Sequence, residues 1–165
     1  MDKAGLLWGM IILPAAAAGV CLMIRGQRAI LIWICVAVAG MLAMGSGAAG
    51  IVFTTGPMMA ANGWLYLDAL SAYHLVLLQL VFLLSSVYAR YYFAHEIESD
   101  DLTIAQTRRF GALWLGSLGS MVLVLISNNL GMVWVGIEAT TLLTAFLICI
   151  HVSTVSLEAM WKYLI

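Results

Sequence analysis

Glu138 is the residue of this sequence whose position points most directly to chemistry. It is about the ninth residue of the apolar run Leu130 to Ile150, close to the middle. A carboxylate in hydrocarbon costs several kcal/mol unless it is neutral, paired or wetted. A carboxyl group that is desolvated and also has a cation nearby can take up and release a proton near neutral pH. We therefore interpret Glu138 as a candidate proton relay; the alternative is a structural glutamate that holds helices together.

Lys162 and His74 are two further relay candidates. Lys162 lies within two turns of the start of a sixth apolar helix, where it could be a cationic stepping stone beside Glu138. It could equally be a snorkelling interfacial lysine, and Glu158, four residues earlier, offers a local ion pair. His74 lies two turns into the third apolar run. Histidine titrates near neutral pH, and the alternative here is a hydrogen-bonded packing residue.

The composition indicates an integral membrane protein. Of 165 residues, 64% are hydrophobic and only 9% are charged, whereas a soluble domain carries about 25% charged residues. The net charge of −1 leaves no basic face for nucleic acid. The three cysteines form no C-x-x-C pair, so neither a metal site nor a disulfide framework is indicated. No phosphate-binding loop, paired-carboxylate site or activated nucleophile is evident, so we expect neither a catalytic site nor a cofactor in this chain.

The elements that position these residues are membrane helices. We predict an all-α integral membrane protein with a single membrane domain over residues 1–165, containing about five transmembrane helices plus the start of a sixth. The predicted helices cover about 4–24, 29–53, 69–93, 110–126, 130–150 and 156–165, with loops at 54–67 and 94–109. Asp68 is a predicted N-cap of the third helix. Small residues repeat every four positions on two faces, where another helix could lie close: Ala39, Ala43 and Gly47, and Ala112, Gly116 and Ser120.

The distribution of basic residues predicts the orientation. Six of the seven Lys and Arg residues fall on one side of the predicted spans. Because cytoplasmic loops carry the excess of Lys and Arg, we place the N-terminus outside and the 94–109 loop in the cytoplasm. That loop holds a short acidic run, interpreted as a wetted loop more readily than as a docking surface: Glu96, Glu98, Asp100 and Asp101.

Two stretches, SNNLGMVWVGIEATTL and SLEAMWKYLI, resemble the antiporter-like membrane subunits of respiratory complex I and its relatives. The resemblance is closest to the F-type subunit of hydrogenase-4-type membrane-bound hydrogenases, strong over 127–165 and weak in the first two helices. The segment YLDALSAY also resembles the segment before the third helix of the family. The resemblance implies proton movement through buried charged residues, driven by a redox reaction in a neighbouring arm. The family's fifth-helix glutamate matches Glu138 and its sixth-helix lysine matches Lys162.

Members of that family have many more helices than this sequence, and their glutamate pairs with a lysine on a broken seventh helix. We therefore expect a fragment, a split subunit whose remaining helices are a separate chain, or a shortened subunit. The resulting hypothesis is a proton-translocating subunit, or its N-terminal part, in a redox-driven complex of the inner membrane, with other membrane subunits as partners. A structural subunit without ion transport is the alternative, as is part of a sodium/proton antiporter or an inorganic-carbon uptake assembly.

Overall fold

Five membrane-length helices dominate the fold. The computed structural model describes residues 3–99 and 101–165, and the statements below refer to those residues. The elements in chain order are α1 Lys3–Met23, α2 Gln27–Thr55, β1 Met58–Ala60, β2 Leu65–Leu67, α3 Ala69–Glu98, α4 Ile104–Ile126, α5 Leu130–Ile148 and α6 Thr154–Leu164. Within the described part, α1 to α5 are long and apolar enough to span a bilayer. The protein is therefore an all-α integral membrane protein.

The apolar core lies among α1, α2, α3 and α4. Glycines on α4 allow α1 to approach closely. A Cβ added to Gly119 would lie 3.2 Å from the ring of Pro14, and one added to Gly111 would lie 2.9 Å from Cys21 Sγ. Pro14 and Cys21 are both buried on α1. The proline is thus accommodated within the membrane span because its partner helix has no side chain at the point of contact.

The predicted small-residue face of α4 is confirmed as a packing surface. A Cβ added to Gly116 would meet Leu143 of α5 at 3.4 Å, and Gly136 of α5 lies against the backbone of Ser120. These contacts place α5 against a different face of α4 from the one that packs on α1. The four-residue repeat identified the contact because it keeps small residues on one stripe of the helix.

The predicted small-residue face of α2 is not used within the described chain. Ala39, Ala43 and Gly47 are exposed, and a Cβ added to Gly47 would meet no atom within 4 Å. Gly45 is the glycine of α2 that faces another helix, namely α3 through Gln79. The contact with α3 is made by a different face of α2, so the prediction that another helix lies on the Ala39, Ala43 and Gly47 face stays a prediction.

The segment predicted as a loop at 54–67 contains a β-hairpin, so that prediction was wrong in part. The strands β1 and β2 are antiparallel, with Met59 paired to Tyr66 at the centre. The turn uses Asn62 and Gly63, which have φ angles of 54° and 91°. Asparagine and glycine tolerate this left-handed region, and the sequence did predict a turn at this dipeptide. We call this side of the molecule the hairpin end.

The loop predicted at 94–109 is also much shorter than expected. The helix α3 continues to Glu98, and α4 begins at Ile104. A capping box starts α4: the backbone N–H of Gln106 donates to Thr103 Oγ1 at 3.3 Å, and the N–H of Thr103 donates to Gln106 Oε1 at 2.9 Å. Hydropathy predicts only the part of a helix that lies in the hydrocarbon. Both α3 and α4 continue beyond that part as polar, solvated turns, which were predicted as loop. We call this side the basic end.

Two of the four acidic residues predicted in a wetted loop lie in α3 and form ion pairs with other parts of the chain. Glu98 lies 3.1 Å from Arg28 at the start of α2. Glu96 lies 3.2 Å from His151, which is in the connection between α5 and α6. Asp100 lies outside the described residues. The two glutamates therefore help to join the ends of three helices.

Candidate functional site

The position of α5 is fixed at the hairpin end by side chains and backbone. Asn129 caps the helix, its Oδ1 accepting from Gly131 N at 2.9 Å and from Met132 N at 3.3 Å. The preceding turn is hydrogen-bonded to the hairpin, since Asn128 N donates to Trp64 O at 2.8 Å. An isolated antiparallel bridge joins Ser127 to Leu65. These bonds set both the start of α5 and the depth of every residue on it.

The rotation of α5 is set about two turns later, where Gly136 contacts α4. A Cβ at this glycine would lie 2.6 Å from Val124 Cγ2 and 3.2 Å from Ser120 O. Because only glycine fits, Gly136 must face α4. Successive residues are rotated by about 100° around the axis of an α-helix. A residue two positions after Gly136 is therefore rotated by about 200° and points away from α4. Glu138 is such a residue.

Glu138 lies mid-helix on this outward face. It is exposed, and eight residues separate it from Leu130, which is about 12 Å along the helix axis. It makes no hydrogen bond or ion pair with any described residue. Ala145, two turns further on the same face, is buried, whereas Trp134, one turn earlier, is 63% exposed. The face is thus covered near its basic end only.

The cover near Ala145 is provided by α6. The Thr144 hydroxyl lies 2.9 Å from the Tyr163 hydroxyl, and Cys149 Sγ donates to Ser156 O at 3.3 Å. The helix α6 therefore begins beside the end of α5 and runs back along it in the direction of Glu138. Tyr163 of α6 lies beside Thr144, which is six residues and about 9 Å along α5 from Glu138.

Lys162 does not contact Glu138. Its Nζ lies 2.6 Å from Glu158 Oε1, one turn earlier on α6. This is the local ion pair that the sequence left open as one alternative. The two side chains are 74% and 66% exposed. An exposed pair of this kind contributes only about 0.3–0.5 kcal/mol, so little energy holds the lysine in this arrangement.

His74 lines a groove between α3, α4 and α5. The groove has a volume of about 530 Å³ and is walled by apolar side chains, with His74 on α3 and Thr140 and Thr141 on α5 as its polar residues. His74 Nδ1 donates to Leu70 O at 2.9 Å, so Nε2 remains available. The structure thus brings His74 to α5, but to the face beside Glu138 and not to Glu138 itself.

Two buried polar atoms inside the bundle were not predicted from the sequence. Gln79 and Ser117 are 2% and 1% exposed, and neither Gln79 Oε1 nor Ser117 Oγ has a hydrogen-bond partner within the described chain. Buried polar atoms are usually paired, with ordered water as one partner. Gln79 could have been identified in the sequence as an amide among the apolar residues of α3. Ser117 could not, because serine is common in membrane helices.

The described residues contain no group of three or more His, Cys, Asp or Glu residues able to hold a metal ion.

Charged side chains are concentrated at the hairpin end and at the basic end of the molecule. Asp68 caps α3, accepting from Ser71 N at 2.7 Å. This bond holds the pKa of Asp68 below the usual range for an aspartate. The carboxylate thereby fixes the start of the helix that carries His74.

The fold and the site define a multi-pass membrane protein with an uncompensated mid-span carboxylate among its described residues. In sequence, the chain is similar to the Hydrogenase-4 component F homolog of Methylacidiphilum infernorum (isolate V4), with 37% identity over 98 residues. These residues make up 59% of this chain and 21% of that protein, so the chain spans about a fifth of the length of this relative. The likeness supports the resemblance to the hydrogenase branch. No protein-family model matches the chain, and no solved structure does so.

Proposed function

We propose that this chain is a membrane subunit, or part of one, of a redox-driven complex of the hydrogenase or complex I type, and that Glu138 carries protons in it. The observation that carries the proposal is the unpaired carboxylate of Glu138, exposed in the middle of a membrane-length helix. A charged residue at mid-depth costs about 2.5–3.5 kcal/mol on insertion scales. The similarity to a hydrogenase-4 component F homologue supports the kind of complex.

In the assembled complex, the face of α5 around Glu138 is covered by other membrane helices. A carboxylate that faced hydrocarbon would need to be protonated permanently and could not exchange protons. Cover by protein supplies the water or cation that lets the group change its charge. The partners we propose are therefore further membrane helices, either those of a separate subunit or more of the same protein.

Lys162 and His74 have supporting roles in this proposal. Lys162 can leave Glu158 at little cost, because their ion pair is exposed and weak. It then becomes a mobile cation at the basic end of the relay. His74 lines the groove beside α5, and its Nε2 has no hydrogen-bond partner among the described residues, so it is available to hydrogen-bond to water there. The excess of basic residues at one end favours a cytoplasmic location for that end, in an inner membrane.

The test is Glu138→Gln in the intact complex. This change keeps the size of the side chain but removes its ability to ionise. We expect proton pumping to be lost while assembly and electron transfer persist. Asp101→Asn is the matched control, because Asp101 is an exposed carboxylate at the basic end, outside the spans. Normal pumping in the Glu138→Gln complex would contradict the proposal.

A structural subunit without ion transport is the second candidate. The exposed small-residue face of α2, with Ala39, Ala43 and Gly47, favours it, since such a face allows another helix to pack closely. On this hypothesis Glu138→Gln leaves pumping unchanged, whereas Gly47→Leu disrupts assembly. The two measurements separate the candidates.

A further inference from the structure

A recess at the basic end lies between the start of α2 and the end of α3. Its volume is about 270 Å³, and its polar wall holds Arg28, Arg90 and Glu98. Arg28 lies 3.1 Å from Glu98. Arg90 makes no ion pair or hydrogen bond with any described residue. Two guanidinium groups therefore face one carboxylate, and the recess carries a net positive charge.

The depth of Arg90 in the bilayer follows from the length of α3. Residues 69–89 contain no charged side chain and cover about 31 Å, close to the thickness of the hydrocarbon core. Arg90 is the first charged residue after this stretch, and the eight residues from it to Glu98 extend about 12 Å further. Arg90 therefore lies at the boundary between hydrocarbon and headgroups, and Glu98 lies beyond it.

The surroundings of Arg90 are apolar toward the centre of the bilayer and polar toward the headgroups. Cys35 lies about two turns along α2 from Arg28, deeper in the bilayer. Leu31 and Ile32 form the apolar wall of the recess between these two levels. A guanidinium group at this depth without a counter-ion is costly. Its planar donors match the oxygen atoms of a phosphate group.

We infer that this recess binds the headgroup phosphate of an anionic phospholipid from the leaflet at the basic end. The phosphate lies between Arg28 and Arg90, and an acyl chain extends along Leu31 and Ile32. The occupant is a lipid and not free phosphate, because the recess lies at the headgroup boundary and has both a cationic wall and an apolar wall. The cationic wall matches the phosphate, and the apolar wall matches an acyl chain. Basic recesses between membrane helices are known to hold such headgroups.

The test measures how many phosphatidylglycerol molecules stay bound to the full chain, by native mass spectrometry after release from micelles with phosphatidylcholine as competitor. We expect Arg28→Gln and Arg90→Gln each to weaken binding by about fivefold, and together by about thirtyfold. Arg109→Gln is the matched control, since Arg109 is an exposed arginine at the same end that does not line the recess. Its effect should stay within about twofold.

A variant of opposite sign separates lost binding from lost folding. Glu98→Gln frees Arg28 and removes a negative charge from the recess, so it should strengthen phosphatidylglycerol binding by about fivefold. Inorganic phosphate at millimolar concentration should not displace the lipid, because it cannot fill the apolar wall. The inference is overturned if Arg109→Gln weakens binding as much as Arg90→Gln, if Glu98→Gln has no effect, or if inorganic phosphate displaces the lipid.

Discussion

Replacing Gly136 by alanine tests whether the contact between α4 and α5 sets the position of Glu138. The new Cβ would lie 2.6 Å from Val124 Cγ2, 3.2 Å from Ser120 O and 3.5 Å from Val124 N. Carbon atoms prefer separations of about 3.5–4.0 Å, so the overlap is about 1 Å. Valine has one strongly preferred rotamer in a helix, and the other two contacts are backbone. The helices must therefore separate.

The expected cost is about 1–3 kcal/mol, the range for overpacking in a close-packed interior. Alanine also improves helix propensity by about 0.8–1.0 kcal/mol over glycine, so the comparison needs a matched substitution. Gly40 on α2 has no atom within 4 Å of an added Cβ. We expect Gly136→Ala to be less stable than Gly40→Ala by about 1–3 kcal/mol, as measured by thermal unfolding in detergent micelles followed by circular dichroism.

A double-mutant cycle assigns the effect to the contact. Val124→Ala removes the methyl group nearest to the new Cβ, while Ser120 O remains at 3.2 Å. The double variant should therefore recover part of the stability, with a favourable coupling of about 1 kcal/mol. Equal stability of Gly136→Ala and Gly40→Ala, or strictly additive effects of the two changes in the cycle, would refute the reasoning.

Two further predictions concern α3. Gly45→Ala should be less stable than Gly50→Ala by about 1 kcal/mol, because the new Cβ would overlap the buried Gln79 Oε1 and force that side chain to shift, and thermal unfolding measures this difference. Asp68→Ala should lower stability by about 1 kcal/mol at neutral pH. Since the Ser71 N–H lowers the pKa of Asp68 in the folded chain, this contribution is complete above the ordinary aspartate pKa and is lost as the pH falls below it, which acid titration of unfolding measures.

Each of these substitutions has a control on the same element. Gly50→Ala, also on α2, meets no atom within 4 Å and should not destabilise; if Gly45→Ala unfolds at the same temperature, the close contact has no energetic weight. Asp68→Asn keeps an oxygen atom for the cap and should retain stability at neutral pH without the loss in acid. An unchanged acid dependence in Asp68→Asn would assign that dependence to other carboxylates.

The membrane spans could be predicted because bilayer thickness imposes a length on apolar runs. The ends of α3 and α4 could not, since Glu98 and Ile104 lie beyond the hydrocarbon, where helices are stabilised by caps and ion pairs. The hairpin was missed because three-residue strands are too short to show a period of two. Their pairing depends on burial of residues such as Leu67 against the helices.

The site was predictable in type and not in arrangement. An acidic residue in an apolar run indicates a functional group whatever surrounds it. The role of Glu138 as a proton carrier stays a prediction. Its distance from Lys162 depends on where α6 lies, and no local pattern reports that. The choice of Glu158 as partner for Lys162 was one of the alternatives that spacing left open. Gln79 Oε1 has no hydrogen-bond partner among the described residues, and its surroundings depend on packing against Gly45 of another helix, which no local pattern reports.

The hairpin holds the start of α5 in place through hydrogen bonds at the hairpin end. Asn128 donates to Trp64 O at 2.8 Å and to Gly63 O at 2.9 Å, directly before the first turn of that helix. The position of α5 is therefore determined at two points, by these hydrogen bonds at its start and by the packing of Gly136 against α4. Glu138 lies two residues past the second point, so we expect a substitution that breaks the hairpin bonds to change the position of the carboxylate although the hairpin does not touch it.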